Sequence, residues 1–270
     1  MKITVDTTGI ATLKLELAGL GRKVAVATKA ALNDAAYLGS KKTAEEVAKV
    51  FDRPTPWVKG SVRYKKASAD KLEASIDFDR WGNKTGVSVD MVLAAQIAGG
   101  KRKLKRHEVA LQRMGILPAG MAIVPGAAAQ MDQYGNMSSA QIRQILSWFN
   151  AAEMTSGYTA NMSAKRRAAL GKGNAKKGVR GFEYFYVAPG SKREWKRANG
   201  KTASHKMQPG IYQRIHTGFG SAIRPVMIFV KVPAYAKRLP FYELVDSIAA
   251  KEFNRAFAQY IDKFIKERGL

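Results

Sequence analysis

The closing segment of the chain constrains its fold more than any other feature. From Phe241 to Lys266, apolar residues recur at i, i+3, i+4 and i+7, with Lys and Glu on the opposite side. This apolar stripe consists of Phe241, Leu244, Val245, Ile248, Phe253, Ala256, Phe257, Tyr260, Ile261, Phe264 and Ile265. The pattern predicts a long amphipathic helix. We expect its stripe to pack on a sheet, and a contact between subunits is the alternative.

Helical and strand-like patterns divide the rest of the chain. Residues 10–51 have apolar residues at helical spacing, which Gly19 and Gly21 are predicted to split into a short and a long helix. Alternation at residues 61–66 and 71–78 predicts a β-hairpin. Further strands are predicted at 86–92, 182–188, 210–216 and 225–232, and short helices at 105–114 and 138–149.

The order of these elements predicts the fold class. Strands and helices do not alternate regularly as they do in βαβ units, so a parallel sheet is not expected. We predict an α+β fold, in which an antiparallel sheet is packed by a long N-terminal and a long C-terminal helix, with basic extended loops. We expect residues 1–270 to form a single domain with an exposed basic insertion at about 151–206.

Positive charge is concentrated in two glycine-studded tracts. The chain has a formal net charge of +25, and about two-thirds of it lies in residues 101–106 and 163–206. The second tract holds 13 Lys or Arg against only Glu183 and Glu194. The residues predicted to contact DNA or a protein partner are Lys101, Arg102, Lys103, Lys105, Arg106, Lys192, Arg193, Trp195, Lys196 and Arg197.

Three uses of these tracts remain open at this point. As DNA contacts they would give a non-specific attraction that weakens with salt, because each neutralised phosphate releases a counterion. Trp195 could then stack on a base. As protein contacts they would dock on acidic patches of neighbouring subunits. The third alternative is a solvated loop.

Residue patterns that would predict an enzyme are missing from the sequence. The chain has no Cys, and the spacing of its three His matches no metal motif. The glycine loop at 173–178 lacks the Lys and Ser or Thr of a phosphate-binding loop. Asp77 and Asp79 fit solvent-facing positions of an amphipathic strand as well as a metal pair. We therefore predict no catalytic residue, no metal site, no cofactor and no membrane span.

Three segments and the closing helix together resemble a known group of proteins. The segments are AIVPGAAAQMDQYGNMSSAQIRQILSWF at 122–149, PGIYQRI at 209–215 and RPVMIFVKVPAY at 224–235. They resemble proteins encoded among the structural genes of tailed bacteriophages and prophages. The general plan is similar to the minor tail protein Z and tail-completion families, and the resemblance does not cover residues 151–206.

The resemblance implies a non-enzymatic structural protein of the virion. It would act in the neck or tail, in tail completion or head–tail connection, as a homo-oligomeric ring around the DNA channel. Its partners would be itself, other neck or tail subunits and, in one alternative, packaged double-stranded DNA. Its location would be the virion, after synthesis in the host cytoplasm. The alternative function is a non-specific DNA-binding protein that uses the basic arms.

Overall fold

A computed structural model describes residues 21–79, 87–154, 160–196, 202–217 and 220–267. The helices are α1 (Gly21–Val50), α2 (Pro56–Lys59), α3 (Val89–Ile97), α4 (Arg106–Arg113), α5 (Ser139–Trp148), α6 (Ala164–Lys172) and α7 (Phe241–Lys266), with 3-10 turns at Ala152–Met154 and Ala175–Lys177. The strands are β1 (Val62–Lys65), β2 (Ser75–Phe78), β3 (Gly100–Lys101), β4 (Met121–Pro125), β5 (Gly173–Asn174), β6 (Val179–Arg180), β7 (Phe182–Val187), β8 (Lys192–Lys196), β9 (Thr202–Lys206), β10 (Gly210–Thr217), β11 (Gly220–Lys231) and β12 (Ala234–Tyr235).

The chain divides into two compact units. Unit 1 comprises Met1–Gly100 and Tyr235–Leu270, and therefore draws on both ends of the chain. Unit 2 is the continuous stretch Lys101–Ala234. The single domain predicted from the sequence stays a prediction, because two compact units can belong to one domain.

The core of unit 1 is built on the pairing of its two long helices. Small and branched residues of α1, among them Ala31 and Leu32, are buried with Val245 and Phe253 of α7. The short antiparallel sheet β1–β2 closes this core, and the Phe78 ring lies 4.7 Å from the Phe241 ring. The apolar stripe of α7 thus packs on α1 and on the two-stranded sheet of its own unit.

Polar contacts fix the register of the two long helices. Tyr260 donates a hydrogen bond to Asp34 at 2.9 Å. Lys42 lies 2.9 Å from the nearly buried carboxylate of Glu252, which also contacts Arg255 at 2.7 Å. Because each of the first two contacts joins α1 to α7, sliding one helix along the other would break both.

Unit 2 is organised around an antiparallel four-stranded sheet in the order β4-β11-β10-β7. One face of this sheet is covered by α5: the Trp148 and Tyr184 rings are 5.8 Å apart, and the Tyr184 hydroxyl donates to Gln144 at 2.9 Å. Leu111 of α4 and Ile211 of β10 belong to the same buried cluster. The sheet and the two helices therefore form a second core, separate from that of unit 1.

The structure explains why the Pro-Gly-Ile segment at 209–211 has a glycine at position 210. An ideal Cβ on Gly210 would lie 2.4 Å from the carbonyl oxygen of Met227, on the neighbouring strand. Only a residue without a side chain allows β10 and β11 to approach so closely there. The chain then continues into Ile211, which is fully buried.

Most of the predicted elements are confirmed. The α+β class, the antiparallel sheets and the long N-terminal and C-terminal helices are as expected, and the two helices pack on each other as well as on the β1–β2 pair. The β1–β2 hairpin, the short helices α4 and α5, and the strands β7, β10 and β11 also match their predicted positions. The predicted short helix before Gly21 lies outside the described residues.

Three expectations about local structure are wrong. Residues 89–97 form helix α3 where a strand was predicted at 86–92, and residue 86 lies outside the described part. Strand β4 was not predicted. Within the basic insertion at 151–206 only the strand at 182–188 was predicted, yet the insertion also contains helix α6 and the antiparallel pair β8–β9.

Candidate nucleic-acid interface

The first basic tract is fixed to the core of unit 2 by a buried ion pair. Glu108 is fully buried on α4, and Arg102 approaches it with two guanidinium nitrogens, at 2.5 and 2.7 Å. The Glu108 carboxylate also accepts the backbone N–H groups of Lys105 at 2.6 Å and Ile123 at 2.7 Å. One side chain thus holds the tract, the start of α4 and strand β4 together.

These contacts keep Glu108 ionised. Burial by itself raises the pKa of this carboxyl group, but hydrogen bonds from Arg102, Ile123 and Lys105 outweigh it, so the pKa lies below its usual value. Charge-assisted hydrogen bonds of this kind are the stronger ones in proteins. Arg102 was predicted to contact DNA or a protein partner; the structure pairs its guanidinium with a buried carboxylate, and the contact stays a prediction.

The other cations of the first tract keep part of their surface in solvent. Lys101, Lys103, Lys105 and Arg106 are exposed. Their positions follow from the pairing of Arg102 with Glu108, which fixes the backbone between residues 102 and 108. This tract therefore offers a short charged edge on an ordered backbone, and its contact with DNA or a partner stays a prediction.

Acidification is expected to weaken unit 2 between about pH 6.5 and pH 4. Burial, followed by the charge of Lys105, lowers the pKa of His107 from 6.5 to about 4. The unfolded chain then binds a proton on His107 where the folded chain does not, so stability falls as the pH drops through this window, by up to about 3 kcal/mol. The stability from Glu108, whose pKa is depressed, is lost at still lower pH.

Urea unfolding at a series of pH values checks this expectation. Between pH 6.5 and pH 4, the free energy of unfolding of His107→Gln should decline less than that of the wild type. An equal decline in both proteins would show that His107 is not the group that titrates.

The second basic tract presents an ordered, strongly charged surface. Helix α6 begins after Ser163, whose hydroxyl accepts the N–H of Arg166 at 3.3 Å, and ends at Gly173, which has a positive φ of 71°. The chain then pairs β5 with β6. The exposed cations of this stretch, which we call the basic surface, are Lys165, Arg166, Lys172, Lys176, Lys177 and Arg180.

The stretch that supplies the basic surface contains no acid of its own, because residues 160–182 contain neither Asp nor Glu. The seventh cation of the stretch, Arg167, is half-buried and donates a hydrogen bond to Asn150. Such a local excess of one sign raises the potential at the surface and attracts polyanions. Chemically, this arrangement can bind an anion.

The remaining predicted contact residues lie in or beside the β8–β9 pair. Its backbone pairs Lys192 with Lys206 and Lys196 with Thr202. The side chains of Lys192, Arg193, Trp195 and Lys196, together with the whole of Arg197, lie outside the described residues. Their role in contacting DNA or protein stays a prediction.

The residue-by-residue prediction missed the cations that the structure brings together. It named none of Lys165, Arg166 or Arg180, although all three lie within the tract that was recognised as basic. Arg224 was quoted only as part of a strand pattern. The absence of acidic residues between 160 and 182 is the signal that could have singled out the first three.

The described residues form neither a metal centre nor a membrane-spanning helix. Within the ranges that the structure describes, no group of three His, Cys, Asp or Glu residues could hold a metal ion. Among the same residues, no helix is long and apolar enough to cross a membrane. Asp79, one of the two acids considered as a metal pair, lies 3.7 Å from Arg63.

Comparisons with protein-family models, with curated proteins and with solved structures find no match to this chain.

Proposed function

We propose that this protein is a structural component of a bacteriophage virion, placed in the neck or tail and working by oligomeric assembly around the DNA channel. The resemblance of residues 122–149, 209–215 and 224–235 to proteins of phage structural gene clusters supports the placement. Those three segments supply α5 and most of β4, β10 and β11, and with them half of the buried residues of the unit 2 core. The likeness therefore concerns the elements that determine this unit's fold.

The observation that carries the proposal is the basic surface on an ordered scaffold. Six exposed cations stand on α6 and the turns after it, within a stretch free of acids, while the core of unit 2 is complete without them. A subunit of a ring around DNA needs this combination, because the scaffold has to hold its place while one face meets a polyanion.

Mass spectrometry of purified phage particles tests the placement directly. The protein is expected in intact particles and in isolated tails or necks, at a copy number that is constant between preparations. Light scattering of the purified protein should detect an oligomer. Absence from particles that are otherwise complete would end this proposal.

A second candidate function, non-specific DNA binding outside the virion, is favoured by the same basic surface. It predicts that the purified protein binds duplexes of unrelated sequence equally well and loses affinity steeply as salt rises. Sequence-independent binding by a protein that is missing from particles would favour this function over the first.

A further inference from the structure

A groove on the four-stranded sheet adds a binding site to the basic surface. It has a volume of about 260 Å³, and its lining includes Arg180, Phe182, Gln213, Ile215, Ala222 and Arg224. The strand register places these residues on one face: Phe182 is opposite Ile215, which is opposite Ala222, and Gln213 is opposite Arg224. The groove is thus a direct product of the β7-β10-β11 pairing.

The two arginines stand at opposite corners of this groove. Arg224 is on β11 beside Gln213, whereas Arg180 precedes β7 by two residues, on the other side of β10. At ~3.3 Å per residue along a strand and ~4.8 Å between strands, their Cα atoms are about 16 Å apart. Between them, half-buried Phe182, Ile215 and Ala222 form an apolar floor.

The backbone that carries Arg180 is held in place. The carbonyl of Gly181 accepts the N–H of His216 at 2.9 Å, which extends the pairing of β7 with β10. An ideal Cβ on Gly181 would lie 1.8 Å from the carbonyl oxygen of Gly171, so the end of α6 packs tightly against this point. Arg180 is therefore presented by a fixed backbone, as a preformed anion site requires.

The charge of the groove is not offset by an acid of its own face. The lining residues include no Asp or Glu. On the opposite face of the same strands, Glu183 lies 3.9 Å from Arg214 and 4.0 Å from His216. The groove thus carries two arginines and no acid in its own lining, so an anion that enters it meets no nearby carboxylate of that face.

We propose that this groove binds the sugar-phosphate backbone of double-stranded DNA. Arg180 and Arg224 each hold a phosphate, as guanidinium groups do with paired hydrogen bonds, and the apolar floor meets the edges of the sugars between them. One DNA strand presents a phosphate every ~3.4 Å along the axis, so a span of about 16 Å parallel to that axis meets roughly five of them. This deepens the proposed function and rests on it, since it takes packaged DNA as the polyanion.

DNA fits the groove better than an acidic peptide of a neighbouring subunit. The regular spacing of phosphates satisfies both corners in any register, whereas a peptide would need two acidic side chains at one particular separation. The basic surface also continues beyond Arg180 through Lys176 and Lys177, which gives the strand further contacts outside the groove. An acidic peptide is retained as an outcome of the test.

Fluorescence anisotropy of a short labelled duplex, measured over a series of salt concentrations, tests the groove. Arg180→Gln with Arg224→Gln is expected to weaken binding about tenfold or more. The slope of log K against log salt should become shallower by about 1.8, the value for two lost phosphate contacts. The control, Arg22→Gln with Lys263→Gln, removes two exposed charges from unit 1 and should leave the slope unchanged.

A second variant alters the groove without removing an arginine. Gln213→Glu places a carboxylate beside Arg224, its partner on the adjacent strand, so that the guanidinium is occupied and DNA is repelled. Binding should weaken severalfold, while the melting temperature stays that of the wild type. Gln213→Asn, which keeps the amide, should bind nearly as well as the wild type.

Several results would overturn the proposal. One is an unchanged slope in the double arginine variant, and another is an equal change in the charge-matched control. If the wild type binds a DNA single strand or poly-glutamate more tightly than the duplex, and the double arginine variant loses that binding, the single strand or the acidic peptide, and not duplex DNA, is the partner of the groove. The analysis of particles gives an independent result. If the protein is absent from virions but the salt slope depends on the groove, only the proposed function is refuted. If the protein is present in virions but the salt slope does not depend on the groove, only the groove proposal is refuted.

Discussion

Glu108→Gln is expected to lower the free energy of unfolding by about 3–5 kcal/mol, as removal of one partner does in a buried ion pair. The substitution keeps the size of the side chain but removes its charge. It leaves Arg102, whose side chain is only 16% exposed, without a counter-charge. The N–H groups of Lys105 and Ile123 donate to different oxygens of the carboxylate. In the amide one of these oxygens is replaced by an NH2 group, which cannot accept a hydrogen bond, so one N–H group loses its acceptor.

Urea unfolding followed by circular dichroism measures this effect. Glu45→Gln removes the same charge from an exposed position of α1 and should change the free energy of unfolding by less than about 0.5 kcal/mol. If Glu108→Gln were as mild as this control, the ion pair would not be what joins the first basic tract, α4 and β4.

Phe253→Asp is expected to unfold unit 1. Phe253 is 6% exposed within the core that joins α1 to α7, and its ring stacks on Phe257 at 5.7 Å. An unpaired carboxylate at this position adds the cost of burying a charge to the loss of a large apolar side chain, which together exceed about 4 kcal/mol. The total is comparable to the whole stability of many domains.

The neighbouring position provides a matched control. Asn254→Asp introduces the same carboxylate one residue later on α7, where the side chain is exposed, and should melt within a few degrees of the wild type. Helical circular dichroism and gel filtration report the outcome. Similar melting of the two variants would show that the apolar stripe of α7 is not core.

The longest patterns in the sequence were predicted reliably, whereas two short apolar runs were misread or missed. Helices α1 and α7 repeat their apolar spacing over several turns, so chance agreement is small, and β11 contains an apolar run of six residues, Pro225 to Val230. The nine residues of α3 are apolar on nearly every side, and such a run fits a strand or a helix equally. Strand β4 was missed because it has only five residues before Gly126, too few to show a clear alternation.

The candidate site depended on contacts that sequence spacing does not encode. The pairing of Arg102 with Glu108 is completed by an N–H group of β4, and that strand was itself missed. Arg180 and Arg224 are 44 positions apart in the sequence and share a groove only because β10 lies between β7 and β11. Net charge and its clustering predicted a polyanion surface, but only the register of the sheet places these two arginines in one groove.

The division of the chain has a consequence for its synthesis. Unit 2 is continuous, so all its parts have been made once residue 234 has left the ribosome. Unit 1 has to wait, because α1 packs on α7, and the bond from Tyr260 to Asp34 spans 226 residues. During translation α1 therefore exposes Ala31, Leu32 and Val47 until the last helix appears. At that stage unit 2 has been synthesised in full, whereas the apolar side of α1 has no partner helix. Binding of a chaperone to α1 would then prevent premature self-association of nascent chains.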